Sequence, residues 1–500
     1  MTPSDREIRN FALIGAGPIG IFLSHLLISK GHKVTLYEAG DRDAETNNLN
    51  LDKYIFQTKS KIPNGVHRVG GASNLWKGRV SEFSPEVFNR TDENGNRVWP
   101  IDFNFLEEAN KYLFGLLDKS GLRDRDYMDK YLDGIDHQMP QPFDLNLFRF
   151  NDENFFKAIL SELENNDNFK LVTKTLVLEI RLPEKPETKH HNVELVLAKA
   201  DYEGFKTVFY SDVVLTGGCL QSTALVMKSN DILNKLSAPS IVGKYLMEHF
   251  DGYVGTLRIS AKDKPFLKKL ILDDSRRIPG KEFGVGLTIA KDKESHSEQM
   301  AFHLELVDWR KTYLFDPNLN IFNGLPSGLY EMFFFLERVL KKIPSELRKI
   351  WLRASSTEIY SVWLKGEEIP FESSELQISR DSDPRKIKLI YNHRVSRETK
   401  NLMRDRLREI SVFLRNNQFG KFRIHLYFRL NRLFYTGPNF HPMGSLRMGA
   451  DPKNSIVGAN FSFHGSPHVF AVNSGVFPNG SNHNPTAMVL ALSVIFASSF

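Results

Sequence analysis

Gly15, Gly17 and Gly20, in the spacing G-x-G-x-x-G, and the carboxylate of Glu38 are the groups in this chain whose types and spacing best suit holding a dinucleotide. The three glycines have separate tasks: one permits a tight turn, one lets backbone approach a pyrophosphate, and one lets a helix pack on a strand. A helix that starts within this loop, at Pro18-Ile19, points free N–H groups at the phosphates. Glu38 is placed to accept hydrogen bonds from a ribose 2′-hydroxyl, and an acid there favours FAD or NAD over NADP. It does not choose between those two. The elements that must present these groups surround them in order. A buried strand is predicted over 11–14. A helix follows, with Ile21, Leu23, Leu26 and Leu27 recurring at helical intervals, and Gly31 falls where it would stop. A second strand over 34–37 closes the unit.

Composition bounds what else the chain can be. Its 500 residues, 41% apolar and 25% charged, can bury a large core and form two or more domains. The net charge of +6 is small, and the basic residues are interspersed with acids, so nucleic-acid binding has no support. Cys219 is the only cysteine. It excludes internal disulfides, thiolate metal clusters and C-x-x-C-H haem attachment. The first strand starts within about ten residues of Met1, and no apolar run is long enough to cross a bilayer. The expectation is a soluble, cytoplasmic protein.

A second glycine-rich stretch, Val69-Gly70-Gly71-Ala72-Ser73-Asn74-Leu75-Trp76, suits close approach of backbone to a ligand, and would equally suit an ordinary surface loop. A helix is predicted over 105–119. Strands over 171–172, 175–180, 193–197 and 207–209 read as a meander. The segment 212–218, Asp-Val-Val-Leu-Thr-Gly-Gly, then reads as another buried strand ending in paired glycines, with a helix over 220–227. It resembles a further element of the nucleotide-binding sheet, separated from the first by an insertion. Residues 251–435 alternate strand-like and helix-like pieces without a phosphate signature, as a substrate-recognition domain would. Basic and aromatic residues around Lys341 mark either a docking helix or, more simply, a core-packing helix with a solvated face, interrupted by Pro344.

The tail carries the remaining chemistry. It contains His441-Pro442-Met443-Gly444-Ser445-Leu446-Arg447-Met448-Gly449, then Asp451-Pro452, a strand over 469–472, Asn473-Ser474-Gly475-Val476-Phe477-Pro478, and Asn482-His483-Asn484-Pro485-Thr486 before an apolar helix over 487–497. On physics alone Asn484 reads as a helix cap, Pro485 as the first helical residue, and His441 as a satisfied structural histidine.

In ensemble these blocks resemble the glucose–methanol–choline (GMC) oxidoreductases over nearly the whole chain. The weaker Val242-Gly243-Lys244-Tyr245-Leu246-Met247-Glu248-His249 is similar to a further segment of that family. The resemblance implies an α/β fold: an FAD-binding Rossmann-like domain assembled from discontinuous segments, plus an α+β substrate domain with a mostly antiparallel sheet. It implies FAD as cofactor and oxidation of an alcohol to an aldehyde or ketone. It puts Gly15, Gly17, Pro18, Ile19, Gly20, Glu38, Gly70, Gly71, Ser73, Asn74, Val177, Gly217, Asn473, Ser474, Pro485 and Thr486 at the cofactor. His441 would be the general base, and Asn484 would hydrogen-bond the same substrate oxygen. The N-terminus of the helix that begins at Pro485 would favour the anionic reduced flavin.

Within that resemblance, Leu75 stands where some members tie FAD to a histidine, so the flavin is expected to be non-covalent. The G-G-x-S-x-x-W loop ending in Trp76 is similar to that of the sugar-oxidising branch. Asn473 replaces an aspartate and Gly475 a serine, and His483 is an extra polar residue, read as part of the wall. The expected domains are 1–85, 151–250 and 436–500 for FAD, with 86–150 and 251–435 for substrate. The expected partners are a small alcohol or sugar and an external electron acceptor: oxygen, a quinone or a redox protein. The alternatives are a hydroxynitrile lyase with non-redox FAD and a non-catalytic flavoprotein subunit.

Overall fold

The structure is a computed structural model. It describes residues 7–42, 66–119, 143–150, 154–199, 204–260, 269–289, 302–308, 357–380, 387–417, 420–424 and 441–500, short gaps and a few isolated residues aside. A six-stranded sheet runs in the order Ser462–Phe463, Ser466–Ala471, Asp212–Leu215, Asn10–Ile14, Lys33–Tyr37, Phe169–Val172. Its pairings are parallel except for the terminal hairpin. Strands buried on both faces need continuous apolar residues, and Phe11, Ala12, Leu13, Val213, Val214 and Leu215 supply them. The helix Pro18–Ser29 packs on one side with the apolar helix Thr486–Ser498. Lys30 caps the first of these helices, and Gly31, at φ +87°, takes the left-handed turn that a side chain would resist. Asn10–Ile14 lies between its sequence neighbour on one side and a strand from two hundred residues later on the other. The crevice of such a sheet opens at this reversal, beyond the carboxyl ends of the strands.

The segment 169–209 departs from its predicted meander. Thr175–Arg181, Val193–Lys199 and Phe205–Tyr210 form a three-stranded antiparallel sheet, but Phe169–Val172 pairs in parallel with Lys33–Tyr37 at the edge of the main sheet. The seven-stranded sheet is antiparallel throughout, in the order Lys421–Ile424, Phe250–Ser260, Thr357–Gly366, Phe302–Asp308, Phe283–Ile289, Phe143–Phe150, Arg79–Val80. The amphipathic helix Arg397–Asn416 covers it with Met403, Leu407, Ile410 and Leu414. Ser396 caps that helix by accepting from the Thr399 N–H. Most of the basic–aromatic stretch around Lys341 lies outside the described residues. No helix among the described residues is long and apolar enough to cross a membrane.

Candidate active site

The two glycine-ended strands meet beyond their carboxyl ends. Thr216 donates its hydroxyl to the carbonyls of Gly15 (2.9 Å) and Ile14 (3.1 Å). Gly15, at φ +109°, lies so close to Gly217 that any Cβ there would overlap its backbone. Gly20 lets the helix approach the strand: a Cβ on it would strike the Gly15 carbonyl and Leu36. Gly17 is different. A Cβ on it would meet no protein atom within 4 Å, because it faces a cavity of about 870 Å³. The first-turn N–H groups of the Pro18–Ser29 helix have no intrahelical partners and start at this point. The Gly70 N–H donates to the Ala16 carbonyl (2.8 Å), which brings Gly71 against Gly17. Glu38 is buried, and its two carboxylate oxygens accept from the N–H groups of Ala16 (3.0 Å) and Gly40 (2.9 Å). Burial raises its pKa, and the backbone donors oppose that rise. A carboxylate has lone pairs beyond these two bonds for a further hydroxyl. Open space over Gly17, a helix N-terminus and a buried acid at the far end are what an FAD pyrophosphate and ribose require, and the residues present fit it.

Gly15, Gly17, Pro18, Ile19, Glu38, Gly71, Ser73, Val177, Gly217, Asn473, Ser474, Pro485 and Thr486 line this one cavity, together with His441 and Asn484. Three of the expected cofactor residues do not. Gly20 works at the helix–strand contact. Gly70, at φ +89°, turns the loop, and Asn74 spends its amide on the carbonyls of Val69 (2.9 Å) and Gly71 (3.0 Å). Asn473 has a role that an aspartate could not fill. Its Nδ2 donates to the Leu215 carbonyl (2.9 Å) while Oδ1 accepts from the Gly475 N–H (2.8 Å), tying together two strands that flank the cavity.

At the far end stands His441. Its backbone N–H donates to Glu248 (3.1 Å), and its Nδ1 lies 2.8 Å from His249 Nε2, the two rings stacked. Burial first, then the charges of Lys365 and Arg79, lower the His441 pKa to about 3, against the pull of Asp251. The ring is therefore neutral at ordinary pH. If Nδ1–H donates to His249, Nε2 keeps its lone pair free to take a proton, so His249 would set the tautomer as an orienting group does in a triad. His249→Phe is expected to retain flavin but slow its reduction by alcohol about 10²-fold, the scale of a misplaced reacting group. An unchanged single-turnover rate would remove His249 from the mechanism.

Asn484 corrects the cap reading. Pro485 is the cap, its carbonyl accepts from Val489 N–H, and Thr486 starts the helix without any side-chain cap. Asn484 is thereby released towards the cavity, where Lys365 Nζ lies 3.4 Å from its Oδ1. An ammonium only donates, so the amide oxygen faces Lys365 and Nδ2 keeps its hydrogens for another acceptor.

Lys365 belongs to a wall that no motif announced. Antiparallel register sets Asp251 and His303 directly opposite Lys365 on its two neighbouring strands. The two-residue period then carries Glu305 onto the face of His303. Gly286 gives His303 its room, since a Cβ there would overlap the ring. Lys365 pairs with Asp251 (2.8 Å), and Glu305 bridges Arg79 (2.7 Å) and Arg276 (3.1 Å). Arg79 also lies over Phe148, 3.5 Å from its ring centre, and Arg276 over Trp363. His303 bonds Glu305 (3.0 Å) and Asn482 (3.0 Å), and His483 stacks on it behind the cavity. Burial lowers the pKa of His249, His303 and His483. The only sequence signal was charge at alternate positions of apolar strands, which is also how a solvated sheet face reads.

The fold is shared along its whole length with solved oxidases. Pyridoxine 4-oxidase from Mesorbium loti aligns over 98% of this chain and 99% of its own, at 15% identity and a TM-score of 0.56. A formate oxidase of Aspergillus oryzae RIB40, studied for FAD modification, aligns over 99% and 98%, at 14% identity and a TM-score of 0.55. No curated protein matches the sequence. Residues 370–493 match the family model for GMC oxidoreductase, C-terminal part. The resemblance carried by the motifs is thus met by a GMC oxidoreductase family-model match over residues 370–493 and by a fold similar to that of two solved oxidases.

Proposed function

We propose that this protein oxidises a sugar or sugar-like alcohol to the carbonyl compound, with His441 as general base and Asn484 as the donor that holds the reacting oxygen. The observation that carries it is the pair itself: a neutral imidazole oriented by His249 and an amide oriented by Lys365, on the wall of the cavity that the dinucleotide loop opens. FAD bound there would supply the hydride acceptor. His441 Nε2 takes the hydroxyl proton, Asn484 Nδ2 donates to the same oxygen, and the Lys365 ammonium beside them stabilises charge as it develops. Leu75 lines the cavity and offers no nucleophile, which supports non-covalent flavin. Electrons would leave to oxygen, a quinone or a redox protein. Anaerobic bleaching of the flavin by a panel of free, nucleotide-linked and aminated sugars tests the reading, and a flavin that no alcohol bleaches overturns it.

The sign of the pH dependence follows from the depressed His441 pKa. A base works in its neutral form, and His441 stays neutral down to about pH 3. The bimolecular rate of flavin reduction should therefore show no fall between pH 7 and pH 5, where an ordinary histidine would already be losing its lone pair. Lys365→Met removes the cation that weighs most on His441 and should move the acid limb upwards. An acid limb near pH 6.5 in the wild type would contradict this reading.

A further inference from the structure

We propose that the alcohol this site oxidises also carries a carboxylate, held by the wall formed by Arg79, Arg276 and Lys365. The proposal rests on the alcohol-oxidising reading and names its substrate class more closely. Three cations line the cavity beside His441 and Asn484, and their side chains are 7%, 21% and 5% exposed. Facing them among the described residues are only two ionised carboxylates. Glu305 is shared by both guanidiniums and lies behind them, off the cavity surface, while Asp251 serves Lys365. The histidines of the wall are neutral. Glu248, another acid on this side, is turned away from the cations: its oxygens accept from the His441 N–H and the Tyr391 hydroxyl, and Glu368 next to it is paired with His393. Among the described residues the wall thus sets three cations against the two carboxylates paired with them.

A buried surplus cation is costly unless a partner arrives. Arg79 Nε is buried without a hydrogen-bond partner among the described residues, which leaves a donor there for a ligand. A surplus of one fits a monoanion, which favours a carboxylate over a phosphate dianion; guanidinium groups recognise carboxylates through paired N–H donors. The arrangement also couples binding to chemistry. Lys365 and Arg79 are the cations that hold the His441 proton affinity down. A carboxylate seated between them offsets that field and makes His441 a better acceptor once substrate is in place. The carboxylate is not consumed: the hydroxyl proton would go to His441, FAD held in the cavity would supply the acceptor for the carbinol hydride, and the C–O bond would become C=O.

The test is anaerobic flavin reduction of the holoenzyme with matched pairs: glucuronate against glucose and against its methyl ester, and glycerate against glycerol. The acid of each pair should exceed its neutral partner by about tenfold or more in bimolecular rate, the worth of one charge-assisted hydrogen bond. Arg276→Gln should bring that ratio towards one. Acetate, which cannot be oxidised at a carbinol, should perturb the flavin absorption of the wild type, and Arg276→Gln should weaken its binding about tenfold. Equal bleaching by acid and neutral alcohols overturns the carboxylate while leaving alcohol oxidation intact. A preference for glucose 6-phosphate over glucuronate overturns it in favour of phosphate. If Arg276→Gln slows acid and neutral alcohols alike and lowers the flavin potential, the surplus charge serves the reduced flavin and the proposal fails. If no alcohol bleaches the flavin, the functional reading fails, and an unperturbed acetate titration would take this inference with it.

Discussion

His441→Ala keeps its flavin and loses about 10² to 10⁴ in the rate at which substrate reduces it, the range for removal of a general base. Retention is expected because no described hydrogen bond of His441 reaches the sheet that cradles the dinucleotide. Its described partners are His249 and, through the backbone, Glu248. The backbone bond survives the substitution. The loss is expected because no neighbour can replace it: His249 is a ring further away from the cavity, and Asn484 has no basic atom. The measurement is the visible spectrum of the purified variant followed by anaerobic stopped-flow reduction. Bleaching at the wild-type rate would take the base role from His441, and a colourless variant would show that the residue holds the cofactor instead.

Gly17→Ala and Gly15→Ala should fail in opposite ways. At Gly17 the backbone has φ −76°, which alanine adopts freely, and the added methyl meets no protein atom. The variant should fold with an unchanged thermal midpoint when flavin-free. It should nevertheless bind FAD at least about tenfold more weakly, because the methyl occupies the space in which backbone must approach the pyrophosphate. At Gly15 the methyl overlaps the backbone of Gly217, and φ is +109°. Overpacking together with a strained backbone costs on the order of 2–5 kcal/mol, so this variant should lose fold before it loses affinity. Thermal melts with and without added FAD separate the two. A Gly17→Ala protein that binds FAD normally would detach the loop from the phosphates.

The difference between what was legible in the chain and what was not is physical. The dinucleotide unit could be read because its constraints are local: a strand, a turn that only glycine makes, a helix and an acid within thirty residues. His441 and Asn484 were legible only through resemblance, since an isolated imidazole or a residue before Pro485 has a commoner structural use. Asn484 was taken for the cap because the Asn-Pro pair mimics one, yet the helix begins one residue later than that pattern suggests. The Arg79–Asp251–Glu305–Lys365 wall was invisible. Its members sit on four strands spread over nearly three hundred positions, and only antiparallel register makes neighbours of them. Phe169–Val172 was misplaced for the same reason, because periodicity shows a strand but not its partner.

The strand Ser466–Ala471 lies beside Asp212–Leu215, its neighbour in space and a distant relative in sequence. During synthesis the ribosome therefore releases the glycine loop, the acid and most of the charged wall before the strand that completes their sheet exists. Parallel pairing across so long a span is slow to form. The nascent chain must hold apolar strand edges unpaired for most of its translation. FAD would capture the sheet only at the end, as the last step of maturation rather than the seed of it.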